Sequence, residues 1–202
     1  MFTKDHDDRD DKKVWLSGDE VYTLLDATDD KTKRIAYSLG VRCGLRSEEI
    51  ADVRPADIQT DAEAGEYLIV RDGKGDKYRE TPIPSELANT IQTAAEYRPE
   101  PPDDPIVTSQ SSSPGASTRT LRNWIADTRD QLADETGDDR WMYLTFHDLR
   151  RTWATLLKGA EVDSLLVCDW GGWDDLETFL EHYRGSYAPD VQARERQKVA
   201  WL

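Results

Sequence analysis

The 202-residue chain is short of several things, and each shortage narrows its possible roles. It has only two cysteines, Cys43 and Cys168, far apart and without a CxxC spacing or a histidine at metal-ligand distance. That argues against a disulfide framework or a zinc site and makes both thiols candidates for small core residues. No apolar run approaches the ~20 residues a membrane-spanning helix needs. The first 13 residues are polar and acidic, unlike a secretory signal, so the expected setting is the cytoplasm. Lysine is scarce as well: 9 Lys stand against 17 Arg, and 27 Asp and 14 Glu bring the net charge to −15. Carboxylates are spread along the whole chain. Such a surface suits a concentrated-salt, halophilic interior, where screening permits the self-repulsion. Taken by itself, this charge argues against a nucleic-acid partner, which calls for a basic footprint.

The hydrophobic pattern supplies the architecture. Residues 1–13 are a charge run without periodicity, expected to be a disordered acidic tail. Ser17 followed by Glu20 is a capping-box pattern that opens a helix bearing Val21, Leu24 and Leu25. A second helix over 31–43 carries Ile35, Ala36, Leu39 and Cys43 and ends at Gly44. Ser47 is placed to cap a short third helix that stops before Pro55. The period then changes to that of strands at Ile58, Tyr67–Val70 and Tyr78–Ile83. A helix over 85–97 and a Pro- and Ser-rich stretch over 98–117 follow. Helices are expected near 118–136, 146–159, 163–170, 174–184 and 188–200. The fold class is mainly α with a small three-stranded antiparallel sheet, and there is no internal repeat.

Five segments carry residues suited to phosphate chemistry. In Gly44-Leu45-Arg46-Ser47-Glu48-Glu49-Ile50, Glu49 sits three residues after Arg46 and can hold its guanidinium rigid, giving a forked, permanently charged clamp for phosphate oxygens. An ordinary surface ion pair has the same spacing. Lys74, in Asp72-Gly73-Lys74-Gly75, falls at the tip of a hairpin, where a lysine can donate a proton or simply solubilise a turn. In Thr145-Phe146-His147-Asp148-Leu149-Arg150-Arg151-Thr152, His147 and Arg150 are three apart on the first turn of a helix. An N-terminal turn favours anions, while Leu149, Trp153 and Leu156 are expected to form its buried face. Trp170-Gly171-Gly172-Trp173 reads equally as a core tryptophan after a glycine turn. Late in the chain, Tyr183 and Tyr187 are candidate nucleophiles, since a phenolate stabilised by positive groups can attack phosphorus. Tyr183 also fits the apolar periodicity of its own helix.

Together, in this order, the five segments resemble the tyrosine recombinases of the phage-integrase family. GLRSEEI is similar to that family's first arginine box, GKG to its hairpin-lysine segment, and HDLRRTWAT to its HxxR box. GGW stands where the family commonly has a Gly-His pair, and Tyr183 lies one residue beyond the usual distance from it. The resemblance runs from about residue 14 to 187. It implies a tyrosine recombinase catalytic-domain fold over 14–202, with the family's N-terminal core-binding domain absent. It implies that Arg46 and Arg150 clamp the scissile phosphate and Glu49 orients Arg46. Lys74 would protonate the leaving 5′ oxygen, His147 would assist proton transfer, and Trp173 would donate its indole N–H or pack the site. Tyr183 would form a 3′-phosphotyrosine, with Tyr187 as the alternative nucleophile. The implied partner is double-stranded DNA, with self-assembly on it as the family's tetrameric synapse. No metal, ATP or other cofactor is implied, because guanidinium and ammonium groups neutralise the developing charge. Two other readings fit the same motifs: a non-catalytic DNA-binding relative, and a type IB topoisomerase-like enzyme.

Overall fold

The computed structural model describes residues 1–6, 11–63, 65–73, 77–109, 115–183, 193–194 and 196–198. Eight helices are described: α1 (Gly18–Asp26), α2 (Lys31–Cys43), α3 (Ser47–Asp52), α4 (Ser85–Glu96), α5 (Thr118–Thr136), α6 (Phe146–Gly159), α7 (Ser164–Gly171) and α8 (Leu176–Tyr183). The strands are β1 (Phe2–Asp5), β2 (Lys12–Trp15), β3 (Ile58–Asp61), β4 (Gly65–Gly73) and β5 (Lys77–Pro82). The last three form the expected antiparallel sheet in the order β3-β4-β5. Of the helix expected over 188–200, only residues 193–194 and 196–198 are described. Among the described residues, no helix is long and apolar enough to cross a membrane.

The central helix is α2, buried along most of its length because small and apolar side chains occupy its whole circumference. Gly40 lets α6 come close: a Cβ there would lie 3.1 Å from Leu149 Cδ1. Tyr37 of α2 packs against Phe146 of α6, ring centroids 5.7 Å apart, and its hydroxyl meets Thr128 Oγ1 of α5 at 2.8 Å. Burial pushes the Tyr37 phenol up to about 12, so it stays neutral. A second apolar cluster, with Trp153, Ala154, Val167, Cys168 and Phe179, joins α6, α7 and α8. Both cysteines are buried free thiols.

Three sequence expectations are corrected. The described part of the expected disordered tail is ordered: β1 and β2 pair antiparallel from Phe2↔Trp15 to Asp5↔Lys12. The reason lies beyond the local pattern, because α6 supplies the partners. Asp148 accepts from Val14 N at 3.1 Å, and Thr152 Oγ1 accepts from Leu16 N at 3.0 Å. The third helix is capped at Arg46, not Ser47; the Glu49 carboxylate turns back and accepts the Arg46 backbone N–H at 2.7 Å. Leu156 is not part of the buried face of α6 but sits 36% exposed.

Candidate active site

The site is organised by the C-terminal end of α7. Its last residues are Asp169-Trp170-Gly171, and Gly172 takes the left-handed conformation (φ 66°) that closes the helix. A helix end leaves carbonyls without intrahelical partners and carries partial negative charge. No basic residue lies in the last turn of α7 itself. Three arginines from elsewhere in the chain supply the donors. Arg79 of β5 donates Nε–H to Trp170 O (2.9 Å), Arg150 of α6 donates to Gly171 O (2.7 Å), and Arg46 donates to Gly172 O (3.3 Å). Three successive carbonyls thus gather three guanidiniums that are widely separated in sequence.

Arg150 is almost wholly buried. A second N–H donates to Gly44 O at 2.5 Å, and the guanidinium carbon lies 4.0 Å from the centroid of the Trp173 ring. Two carbonyls and an aromatic face fix both its plane and its position. Trp173 in turn stacks on Trp153 (6.2 Å, 14°) and meets Phe179 of α8 edge-on (5.0 Å). The two glycines on either side are required. Gly44 has φ 68°, and a Cβ on it would lie 2.3 Å from Trp153 Cε3, while a Cβ on Gly171 would lie 1.8 Å from Trp173 Cζ3.

Arg46 is anchored differently. Its Nη1 donates to Glu49 Oε1 at 2.8 Å, and its side chain retains 22% exposure, unlike buried Arg150. Glu49 is buried and holds a second guanidinium in a two-pronged pair: Arg79 Nη1 to Oε1 and Nη2 to Oε2, both 2.7 Å. Burial alone would raise the Glu49 carboxyl, but the Arg79 bonds and charge, and then Arg46, outweigh it and leave it below the usual carboxylate range.

The structure therefore brings Arg46, Glu49, Arg150 and Trp173 together. His147 stands in the first turn of α6, exposed, one turn before buried Arg150. The hairpin expected to carry Lys74 is formed, with Gly73 paired to Lys77, but Lys74 lies outside the described residues. Tyr183 is the last residue of α8, whose Phe179 touches Trp173; the Tyr183 side chain and all of Tyr187 lie outside the described residues. Among the described residues, no group of His, Cys, Asp and Glu is placed to hold a metal ion. Sequence reasoning missed Arg79. The signal was present in β5, where Tyr78 and Glu80 are exposed and Arg79 and Thr81 are buried. A charged residue on the inward phase of a strand needs a buried counter-charge.

This fold is that of tyrosine recombinase catalytic domains, with a paired-arginine site at its centre. Residues 14–188 match the phage integrase family, and the chain belongs to that family. It is 29% identical over 187 residues to tyrosine recombinase XerA of Thermococcus kodakarensis (strain ATCC BAA-918 / JCM 12380 / KOD1), covering 91% of this chain and 62% of that protein. The chain thus spans less than two thirds of this relative's length. Among solved structures, a XerA recombinase crystal structure superposes with a TM-score of 0.73 at 21% identity, covering 93% of this chain and 65% of the other. The XerH recombinase bound to difH in a pre-cleavage complex gives 0.65 at 20% identity, with 93% and 54% covered. The Tn1549 transposon integrase with circular-intermediate DNA gives 0.67 at 17% identity, with 95% and 67% covered.

Proposed function

We propose that this chain is the catalytic domain of a site-specific DNA recombinase that cuts and rejoins duplex DNA through a 3′-phosphotyrosine. The observation that carries the reading is the gathering of Arg46 and Arg150 on the adjacent carbonyls of Gly172 and Gly171, although 104 residues separate them in the chain. Two guanidiniums so fixed can stabilise the extra negative charge of a five-coordinate phosphorus, and preorganised donors of this kind are the largest single contribution to many such reactions. In the proposed step the Tyr183 phenol gives up its proton to solvent, its oxygen bonds to phosphorus and the bond to the 5′ oxygen breaks. The leaving oxygen takes its proton from Lys74 with help from His147. Rejoining is the reverse attack by a 5′-hydroxyl, so the phosphotyrosine conserves the bond energy and neither metal nor ATP enters the reaction. Trp173 packs Arg150 and closes the site toward α8. The partner is double-stranded DNA, on which copies of the protein assemble; the DNA bound in the XerH and Tn1549 integrase structures supports that choice. The composition supports a salt-rich cytoplasm as the working environment.

The test is a pool of duplexes with a randomised core, each nicked so that a short 5′-hydroxyl fragment diffuses away after cleavage and traps the covalent protein–DNA adduct on a denaturing gel. We expect an adduct with the unaltered chain and with Tyr187→Phe, and none with Tyr183→Phe. Loss with Tyr187→Phe instead would move the nucleophile, and an adduct that survives both changes would overturn the phosphotyrosine chemistry.

A further inference from the structure

Glu49 accepts four hydrogen bonds, two from Arg46 (backbone N and Nη1) and two from Arg79. A carboxylate has about four lone-pair sites, so this one is saturated. The stoichiometry of charge matters more. Arg46 with Glu49 alone is a neutral pair, and a neutral pair offers a phosphate only a dipole. With Arg79 the cluster holds two positive charges and one negative, a net +1 on the partly exposed side, where Arg46 lies, because Arg79 itself is only 7% exposed. The arrangement is also a mechanical link. Arg79 Nε–H holds Trp170 O while Arg46 holds Gly172 O, so the same two guanidiniums tie β5 and the α3 entrance to the end of α7. Gly172 keeps room for this, since a Cβ on it would lie 2.9 Å from Arg79 Cδ.

From this geometry we infer that Arg79 is a positioning residue for the reaction: it fixes Glu49 and offsets its charge, so that Arg46 presents both a fixed fork and an undiminished positive charge to the scissile phosphate. This deepens the recombinase reading and rests on it. Arg79 does not touch the phosphate, and its action passes through Glu49 and Arg46. The other charged groups lining the groove beside Glu49 are Glu48, Asp52, Arg54, Asp57 and Arg71. Asp57 is engaged by Arg71 and by the Arg54 backbone N–H, and Asp52 by the Arg54 side chain. None of these replaces Arg79 at Glu49.

The experiment compares Arg79→Met, which keeps the length without charge, and Arg79→Lys, which keeps charge without the fork, in adduct formation on the nicked pool. We expect Arg79→Met to slow adduct formation about a hundredfold, the scale of a small misplacement of a reacting group, with DNA binding within about threefold of the unaltered chain on a scale where uniform binding and transition-state effects separate. Its rate should fall on acidification at a higher pH than that of the unaltered chain, because Glu49 then protonates more readily. Arg79→Lys should recover part of the rate and of the pH profile. A folded Arg79→Met with unaltered rate and profile overturns the inference. So does an equal loss in both variants with an unshifted profile, which marks a structural role only. If the unaltered chain forms no adduct, the recombinase reading fails, and the positioning claim is read from ¹³C titration of the Glu49 carboxylate and ¹⁵N signals of the Arg46 guanidinium. A raised Glu49 titration and faster Arg46 N–H exchange in Arg79→Met uphold it; unchanged signals overturn it.

Discussion

Arg46 and Arg150 carry the same group in opposite settings. Arg150 is buried, bonded to two carbonyls and covered by an indole ring; Arg46 is partly exposed and steered by a carboxylate. Arg150→Lys keeps the charge but loses the fork, so it can no longer hold Gly44 O and Gly171 O in one plane. We expect adduct formation to fall by about a hundredfold or more, as when one preorganised donor is lost, while DNA binding measured by fluorescence anisotropy changes little; equal loss of both would assign Arg150 a general role in positioning DNA. Glu49→Gln leaves Arg79 buried without its counter-charge and should cost on the order of 3–5 kcal/mol at neutral pH. The sign with pH follows from the lowered carboxyl: its contribution is fully present above the ordinary carboxylate pKa and is lost as pH falls through the folded-state value. Thermal melts of the two proteins should therefore differ at pH 7 and converge in acid. A gap that does not narrow in acid would mean that the Glu49 charge is not what stabilises the cluster.

At the scale of elements, α6 serves two masters. One face presents Arg150 to the site, and the other ties down the N-terminal hairpin through Asp148 and Thr152. Asp148 also receives Thr145 N at 2.9 Å, Thr145 Oγ1 at 2.6 Å and the Arg151 guanidinium, which together hold the first turn of α6. Thr152→Val keeps the shape and removes the acceptor for Leu16 N–H, leaving a buried donor unpaired at a cost of about 1–3 kcal/mol. Amide exchange at Val14 and Leu16 should accelerate while that of α2 stays slow, since local opening need not involve the whole core. Exchange that quickens equally in α2 would show that β2 and the core open as one unit. The helices and the three-stranded sheet were legible in the sequence because their signals are local: a capping box at Ser17 and Glu20, a glycine closing α2, and the change of period at Ile58. The hairpin β1–β2 was not legible. Its residues read as a polar charge run, and what orders Val14 and Leu16 is a pair of acceptors more than 130 residues away.

For the whole molecule, charge is the defining quantity. A net −15 opposes the approach of DNA over long range, while the site concentrates three guanidiniums on the end of one helix. Added salt weakens the long-range repulsion and also weakens the release of counterions that usually drives DNA binding. The two effects offset each other. We therefore expect an unusually shallow dependence of DNA affinity on salt, with the fold retained in molar salt; a steep loss of affinity at modest salt would count against adaptation to a salt-rich interior.

The sequence by itself determined the family, the helical architecture with its small sheet, and the identity of Arg46, Glu49, Arg150 and Trp173 as candidates, because each rests on residue type and short spacing. Only the tertiary structure decided how they meet. The acceptors that gather the three arginines in one place are backbone carbonyls at the end of α7, and a carbonyl has no residue type by which a sequence can announce it. Arg79 enters through the same door: its counter-charge lies 30 residues away on another element, and nothing within β5 except an inward-facing charge points to it.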